Sequence, residues 1–149
     1  MSQSSTSLHI EAPIEQVFVA ITNIEDFPQR AESITKIEFL SETKHGVGTK
    51  FRETRMMGKK EATAVLEITE FVENEKVRFV SDEGGTIWDT IFKVSPSSSG
   101  SGTQLDLVMD ARPYKLMSKI VTPLIIKMIG KFVLKDMDEL KAWCEQNVS

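Results

Sequence analysis

Glu53 and Arg55 are the residues of this sequence whose types and spacing best fit chemistry. They stand two positions apart in a stretch that alternates like a β-strand, so they share one face with Phe51. If Phe51 points inward, an acid and a base point inward with it, and buried charges are costly unless they are paired. Such a pair would orient the polar end of a bound molecule. Alternatively, Phe51 lies near the end of the sheet and the pair sits at a wet rim.

The remaining candidate groups are His9, His45 and Cys144. Neither histidine stands at ligand spacing from another histidine or a cysteine, so no metal site is expected. A lone cysteine without a placed base is more often a packed or surface thiol than a nucleophile. A single cysteine also excludes an internal disulfide and is typical of a reducing compartment, which predicts a cytoplasmic location. G-x-S-x-G, P-loop and G-x-G-x-x-G motifs are lacking, and no cofactor is expected.

The length and the net charge of the chain limit the classes of function that remain possible. The 149 residues predict a single domain, 1–149, and the net charge of −4 argues against a nucleic-acid partner. Met1 to Ser7 is polar and uncharged, unlike a signal peptide. The apolar stretch from Leu116 to Leu134 is interrupted by lysines and by Pro123, so no integral membrane segment is expected. A peripheral membrane contact stays open, and the sequence does not indicate an oligomeric state.

The order of the elements follows from the change in hydrophobic period along the chain. A short strand over 6–11 precedes a helix that opens at Pro13 and a second, shorter helix that Pro28 limits. Period-two segments separated by turns then predict an antiparallel meander of six strands, at about 34–41, 49–57, 61–73, 76–82, 86–95 and 103–112. One face of these strands is apolar and the other charged, and Asp89, Asp106 and Asp110 on the charged face are most simply solvated.

The segment from Pro113 to Val148 has apolar residues at the spacing of an amphipathic helix. Pro123 lacks an amide hydrogen, and Thr122 before it is a good N-cap residue. This predicts a short helix over about 114–121, a restart or kink, and a long helix over 123–146. The apolar stripe shifts at the proline, so the two pieces would face two surfaces: the sheet, and a cavity or its mouth. The alternative is ordinary core packing throughout.

A curved sheet that wraps this helix could hold a small hydrophobic molecule between them. Aromatic side chains give rigid area and methionine adapts to irregular shapes. The residues predicted to line the cavity are Phe51, Glu53, Arg55, Leu66, Phe79, Trp88, Thr90, Phe92, Leu107, Met109, Met117, Val121, Leu124 and Met128. Each of the apolar ones could instead be plain core.

The element order β-α-α-β6-α resembles the START-like superfamily, the helix-grip fold of the polyketide cyclase/dehydrase and lipid-transport family. Four segments carry the resemblance: IEAPIEQVFVAITNIEDFP (10–28), GVGTKFRETR (46–55), ITEFVENEKVRF (68–79) and GTQLDLVM (102–109). The resemblance implies an α+β fold, with a seven-stranded curved antiparallel sheet around a long C-terminal helix. It also implies a cavity for lipids, sterols, polyketides or quinones, but no universal catalytic motif.

Three functions are consistent with these observations. The first is a non-catalytic carrier or sensor of a small hydrophobic ligand. The second is a cyclase or dehydratase in which Glu53 acts as an acid or base beside Arg55, because desolvation would raise the pKa of Glu53. The third is a partner-binding or membrane-associated module that uses the apolar C-terminal helix.

Overall fold

The computed structural model describes residues 2–147. These residues form seven strands and three α-helices, with a 3-10 turn at Ile24–Asp26 between the first two helices. The elements are β1 (Ser2–Ile10), α1 (Ile14–Thr22), α2 (Phe27–Arg30), β2 (Ile34–Phe39), β3 (Lys50–Met57), β4 (Lys60–Val72), β5 (Lys76–Glu83), β6 (Thr86–Pro96), β7 (Thr103–Pro113) and α3 (Leu116–Gln146).

All seven strands form one antiparallel sheet in the order β1-β7-β6-β5-β4-β3-β2. Consecutive strands pair from β2 to β7, as a meander does, and β1 closes the other edge against β7. Register shifts between Ile34 and Lys36 and between Ile68 and Glu70 interrupt the ladders, and such bulges bend a sheet. The predicted α+β helix-grip fold, a curved seven-stranded sheet with a long C-terminal helix, is confirmed.

The core lies between the concave face of the sheet and the helices. Val17 and Ile21 of α1 and Leu105 of β7 are almost fully buried, as are Leu140 and Cys144 near the end of α3. These positions of α3 are four residues apart, so they lie on one face of the helix. The C-terminal half of α3 is therefore the part that the sheet grips.

The predicted restart of the C-terminal helix at Pro123 is wrong, whereas the alternative of a kink there stays a prediction. α3 is continuous from Leu116 to Gln146, with Pro123 inside it, and the predicted short helix over 114–121 does not exist as a separate element. A proline removes one backbone donor from a helix, and tertiary contacts can offset that loss. Thr122, expected to be an N-cap, is buried within the helix instead.

The contacts that hold this part of α3 come from the hairpin between β5 and β6. Thr122 Oγ1 lies 2.9 Å from Thr86 Oγ1, and Ser118 Oγ donates a 2.6 Å hydrogen bond to the carbonyl oxygen of Gly84. Both contacts lie within five residues before the proline. They fix the turn of helix that the proline would otherwise loosen.

One expectation about the outer face of the sheet is also wrong. Asp89 was expected to be solvated but is buried between the side chains of Arg78 and Arg112. The reason is cross-strand: β5 and β7 flank β6, and each supplies an arginine that reaches over the carboxylate. The hydrogen bonds from Arg78 and then Arg112 lower the pKa of Asp89 despite its burial.

Candidate ligand cavity

A cavity of about 350 Å³ lies between the concave face of the sheet, α2 and the C-terminal half of α3. Ligand sites in proteins commonly enclose about 300–1,000 Å³ and are mostly apolar with a few polar groups. Strands β3 to β7 contribute their inward-facing residues, and α3 contributes Ile129, Phe132, Val133 and Asp136.

Four phenyl rings form a continuous apolar wall. Phe27, Phe51, Phe79 and Phe92 follow one another with ring centroids 6.0–6.2 Å apart and interplanar angles of 80–89°. This edge-to-face arrangement is one that aromatic pairs favour. Three of the rings stand on β3, β5 and β6 because alternate residues of a strand share a face, and Phe27 completes the row from α2.

The polar end of the cavity is built around Arg55. Its Nε and Nη2 each donate to Glu53 Oε1 at 3.2 Å, and its Nη1 donates to Asp136 Oδ2 at 2.7 Å and to Ser33 Oγ at 3.2 Å. The guanidinium thus joins β3 to α3 and to the segment before β2. Arg55 is a well-satisfied cation whose partners are all protein groups.

Burial and pairing act in opposite directions on this cluster. Burial raises the pKa of Glu53, and the neighbouring Arg55 offsets only part of that effect. For Arg55, burial lowers the pKa, but Glu53 and Asp136 outweigh it and raise the pKa overall. Glu53 is therefore a carboxyl that is protonated more easily than usual, beside an arginine that stays charged.

Arg30, the last residue of α2, places a second guanidinium at the cavity. Its Cζ lies 4.3 Å from the centroid of the Phe27 ring, a cation–π distance. Its Nε is buried and has no hydrogen-bond partner among the described residues. Burial lowers the pKa of Arg30 to about 10, which leaves it charged at neutral pH.

Comparison with family models identifies the chain. The model described as polyketide cyclase / dehydrase and lipid transport matches residues 1–145. The chain belongs to this family. The family assignment agrees with the resemblance in the sequence and with a cavity between sheet and helix.

Solved structures share the fold of this polyketide cyclase/dehydrase and lipid transport family member at low sequence identity. TTHA0849 from Thermus thermophilus is 18% identical with a TM-score of 0.80, and the match covers 99% of this chain and 100% of that one. A START superfamily protein from Mycobacterium smegmatis is 15% identical with a TM-score of 0.79, covering 97% of each chain. The Zhui aromatase/cyclase from Streptomyces is 12% identical with a TM-score of 0.81, covering 99% and 96%. The comparison with curated proteins gave no match.

In this family member, ten of the fourteen residues predicted to line the cavity do so. All ten lie on the strands: Phe51, Glu53, Arg55, Leu66, Phe79, Trp88, Thr90, Phe92, Leu107 and Met109. Glu53 and Arg55 therefore lie inside and not at a wet rim. Whether these residues bind a ligand stays a prediction.

The four predicted lining residues on α3 lie outside the cavity. Met117, Leu124 and Met128 are exposed, and Val121 is half-buried without lining it. The physical reason is that Ser118 and Thr122 turn inward to the β5–β6 hairpin, which rotates their apolar neighbours outward. The helix meets the cavity only from Ile129 onward.

Sequence reasoning missed the polar residues that come from outside the meander, chiefly Arg30 and Asp136. Each is isolated in a helix, so no strand alternation signals its direction. One signal was available for Asp136: it stands four positions before Leu140, on the buried face of α3. No group of three or more His, Cys, Asp or Glu side chains among residues 2–147 is placed to hold a metal ion.

Proposed function

We propose that this single-domain protein binds or carries a small hydrophobic ligand in the cavity between the sheet and α3, in the cytoplasm. The observation that carries the proposal is the cavity itself, about 350 Å³ with a row of phenyl rings on one side and a charged cluster at one end. A ligand with an apolar body and one polar end would fit this distribution.

The energetics of an unfilled core support the same proposal. Apolar space left empty costs stability, because the side chains that line it lose van der Waals contacts. Several lining positions carry small residues, including Ala64, Ser81 and Thr90, where larger apolar side chains would fill the space. A cavity kept open by small residues is expected where a ligand takes the place of the missing side chains.

Native mass spectrometry of gently purified protein tests the proposal. We expect a fraction of the protein to carry a co-purified mass in the range of a lipid, quinone or polyketide. After delipidation, the protein should bind the neutral apolar dye Nile red. Ligand-free protein that also fails to bind Nile red would contradict the proposal.

A second candidate function, a cyclase or dehydratase, is favoured by the environment of Glu53. Its raised pKa makes it a candidate proton donor or acceptor inside the cavity, beside a permanently charged Arg55. Intramolecular aldol closure of a poly-β-keto thioester joins a methylene carbon to a distant ketone carbon of the same chain, and the resulting hydroxyl leaves as water. Turnover of such a thioester would therefore appear as loss of one water in the product mass.

Glu53→Gln separates the two functions. Under the enzymatic alternative, E53Q binds the thioester nearly as well as wild type but loses turnover, whereas Glu67→Gln on the outer face of β4 keeps it. Absence of turnover in the wild-type protein, with tight apolar ligand binding, would leave the carrier function standing and reject the enzyme.

A further inference from the structure

The two arginines of the cavity differ in what surrounds them. Arg55 donates to Glu53, Asp136 and Ser33, so its guanidinium is satisfied by the protein. Arg30 makes neither an ion pair nor a side-chain hydrogen bond among the described residues, although its guanidinium lines the same cavity. Arg30 as a whole is half-buried, and its Nε is the atom that is buried without a partner. A buried polar atom of a charged group without a partner is costly, and natural proteins normally pair it.

The carboxylates near Arg30 are already engaged elsewhere. Glu53 and Asp136 attract Arg30 at a distance but place their hydrogen-bonding oxygens on Arg55. The thiol of Cys144 is also near enough to interact electrostatically with Arg30, but burial raises the pKa of the thiol to about 11, so it is neutral at pH 7. No anionic side chain among the described residues therefore forms an ion pair with the guanidinium of Arg30.

We propose that Arg30 is the binding site for a carboxylate on the ligand, so that the cavity takes hydrophobic acids in preference to neutral lipids. The inference rests on the proposed ligand-binding function and adds the chemical class of the ligand. A planar guanidinium matches a carboxylate with two parallel hydrogen bonds. The Phe27 ring, 4.3 Å from Arg30 Cζ, holds the guanidinium at the cavity wall, and the phenyl row leads away from it.

A competition experiment tests this inference. Delipidated protein is loaded with Nile red, and the dye is displaced with dodecanoic acid or with dodecan-1-ol at pH 8. We expect the acid to compete at least 10-fold more strongly than the alcohol in wild type. The preference should vanish in Arg30→Met and Arg30→Gln, and persist in Arg30→Lys and in the control Arg52→Met on the outer face of β3.

The possible outcomes distinguish a wrong role for Arg30 from a wrong proposal of ligand binding. Equal competition by acid and alcohol in wild type would overturn the role of Arg30 while the cavity stays a ligand site. A preference that survives in both R30M and R30Q would also overturn it. Failure of wild type to bind Nile red, acid and alcohol would overturn the proposed function itself.

A separate observation concerns the N-terminal half of α3. Leu116, Met117, Ile120, Leu124 and Met128 are 50–79% exposed. Leu116, Ile120, Leu124 and Met128 recur every four residues, so they form one stripe along the helix. We call these five residues the α3 apolar stripe.

The sequence segment that contains the α3 apolar stripe carries charge of one sign. From Ala111 to Lys135 the chain holds six Lys and Arg residues and no Asp or Glu, although the whole protein has a net charge of −4. Lys127, Lys131 and Lys135 continue the same face of the helix toward its C-terminal half. All 22 acidic residues lie outside this segment.

We infer that the α3 apolar stripe docks on an anionic lipid bilayer. An amphipathic helix with apolar and basic residues on its free face lies in the interface, with lysines reaching the headgroups. Charge complementarity favours a bilayer over an ordinary protein partner, because the positive segment stands out from an acidic protein. No helix among residues 2–147 is long and apolar enough to cross a membrane, so the contact would be peripheral.

Vesicle flotation tests this second inference. Full-length protein is mixed with vesicles of phosphatidylcholine alone or with one third phosphatidylglycerol. We expect binding to the anionic vesicles at least 10-fold stronger than to neutral ones, and weaker in high salt. The double variant Ile120→Ser/Leu124→Ser should lose it, as should Lys127→Gln/Lys131→Gln, whereas Val47→Ser, which removes another exposed apolar side chain, should not.

Two results of the flotation experiment would contradict docking of the α3 apolar stripe on an anionic bilayer. Equal binding to neutral and anionic vesicles, or no binding to either, would overturn the inference. If the I120S/L124S change abolished a dimer in light scattering without any vesicle binding in wild type, the stripe would be an interface between two copies of this chain.

Discussion

Arg30 and Arg55 lie at the same cavity, but they differ in their hydrogen-bond partners. Arg55 is held by three protein side chains and cross-links β3 to α3. Arg30 has an aromatic ring beneath it and an unpartnered Nε. At the residue scale, the polar end of the cavity is therefore one structural arginine and one arginine free to meet a ligand.

Asp89 gives a stability prediction on the outer face of the sheet. Its pKa is lowered by Arg78 and Arg112, so its contribution to folding is present above the unfolded-state value of about 3.9 and is lost as the pH falls through the folded-state value. Asp89→Asn should cost about 1–2 kcal/mol at pH 7, at the low end because the arginines are partly solvated.

Thermal melts of D89N and wild type between pH 7 and pH 2 check this prediction. The gap in Tm should be largest at pH 7 and shrink in acid, and Asp106→Asn should show a smaller gap. A gap of constant size across this range would reject the ion-pair explanation.

Substitution of Glu53 is expected to raise stability at neutral pH, whereas substitution of Asp89 is expected to lower it. Its pKa is raised, chiefly by burial, so the folded state carries a penalty that grows as the pH rises from the unfolded-state value of about 4.3 through the folded-state value. Glu53→Gln removes that penalty, and Arg55 keeps Asp136 as a partner. We expect E53Q to have a higher Tm than wild type at pH 7 and a similar Tm at pH 4; a lower Tm at pH 7 would show that pairing with Arg55 outweighs burial.

Alternation along a strand could place Glu53 and Arg55 on the same face as Phe51, but it left open whether that face was the interior or a wet rim. The sequence could not predict Arg30, because α2 is a single turn without a period to follow. Asp89 was misjudged for a related reason: alternation gives the face of the sheet, but not the arginines that two neighbouring strands bring over it.

At the scale of elements, the β5–β6 hairpin contacts the N-terminal half of α3 and holds it in place. The backbone nitrogen of Tyr114 donates to the carbonyl oxygen of Gly85 at 2.9 Å, just before the helix. A Cβ on Gly85 would lie 2.5 Å from Ser118 Oγ and 2.9 Å from Lys115 Cβ. Close approach of the turn to the helix therefore requires glycine at this position.

Two adjacent glycines offer a matched comparison. Gly84 and Gly85 both have positive φ, +61° and +84°, but a Cβ on Gly84 would meet open space. Gly84→Ala should cost about 1–2 kcal/mol for backbone strain, and Gly85→Ala about 1–3 kcal/mol more for the collision. Chemical denaturation measures both, and equal costs would contradict the tight seating of α3 on the hairpin.

The elements themselves were largely predictable, and the exceptions have physical causes. Alternation and turn residues gave the six meander strands within a few residues of their ends. β1 is longer than predicted because β7 pairs with it along its length, from Ser2 opposite Ala111 to Ile10 opposite Thr103. The restart expected at Pro123 does not occur, because Ser118 and Thr122 contact a hairpin that is distant in sequence and offset the local effect of the proline.

At the scale of the whole molecule, a curved sheet, a gripping helix and an incompletely filled interior belong together. The family assignment and the fold could be recognised from the element order and a few local segments. The volume left between the layers could not, because it depends on how side chains of seven strands and three helices meet. That volume is what the proposed function requires.

Blocking the cavity with a side chain is the most direct test of that claim. Thr90 faces inward between Trp88 and Phe92 on β6, whereas Lys93 on the same strand faces outward. Thr90→Trp should fill part of the space, and Lys93→Trp adds the same side chain on the opposite face. Ala64→Phe provides a second inward change should T90W fold poorly.

The measurement is a Nile red titration of delipidated wild type, T90W, A64F and K93W, with melting curves to verify folding. We expect wild type and K93W to bind the dye with the same affinity, and the folded inward variants to bind at least 10-fold more weakly. Equal dye binding by wild type and a folded T90W or A64F, or no binding by wild type, would contradict a ligand cavity between the sheet and α3.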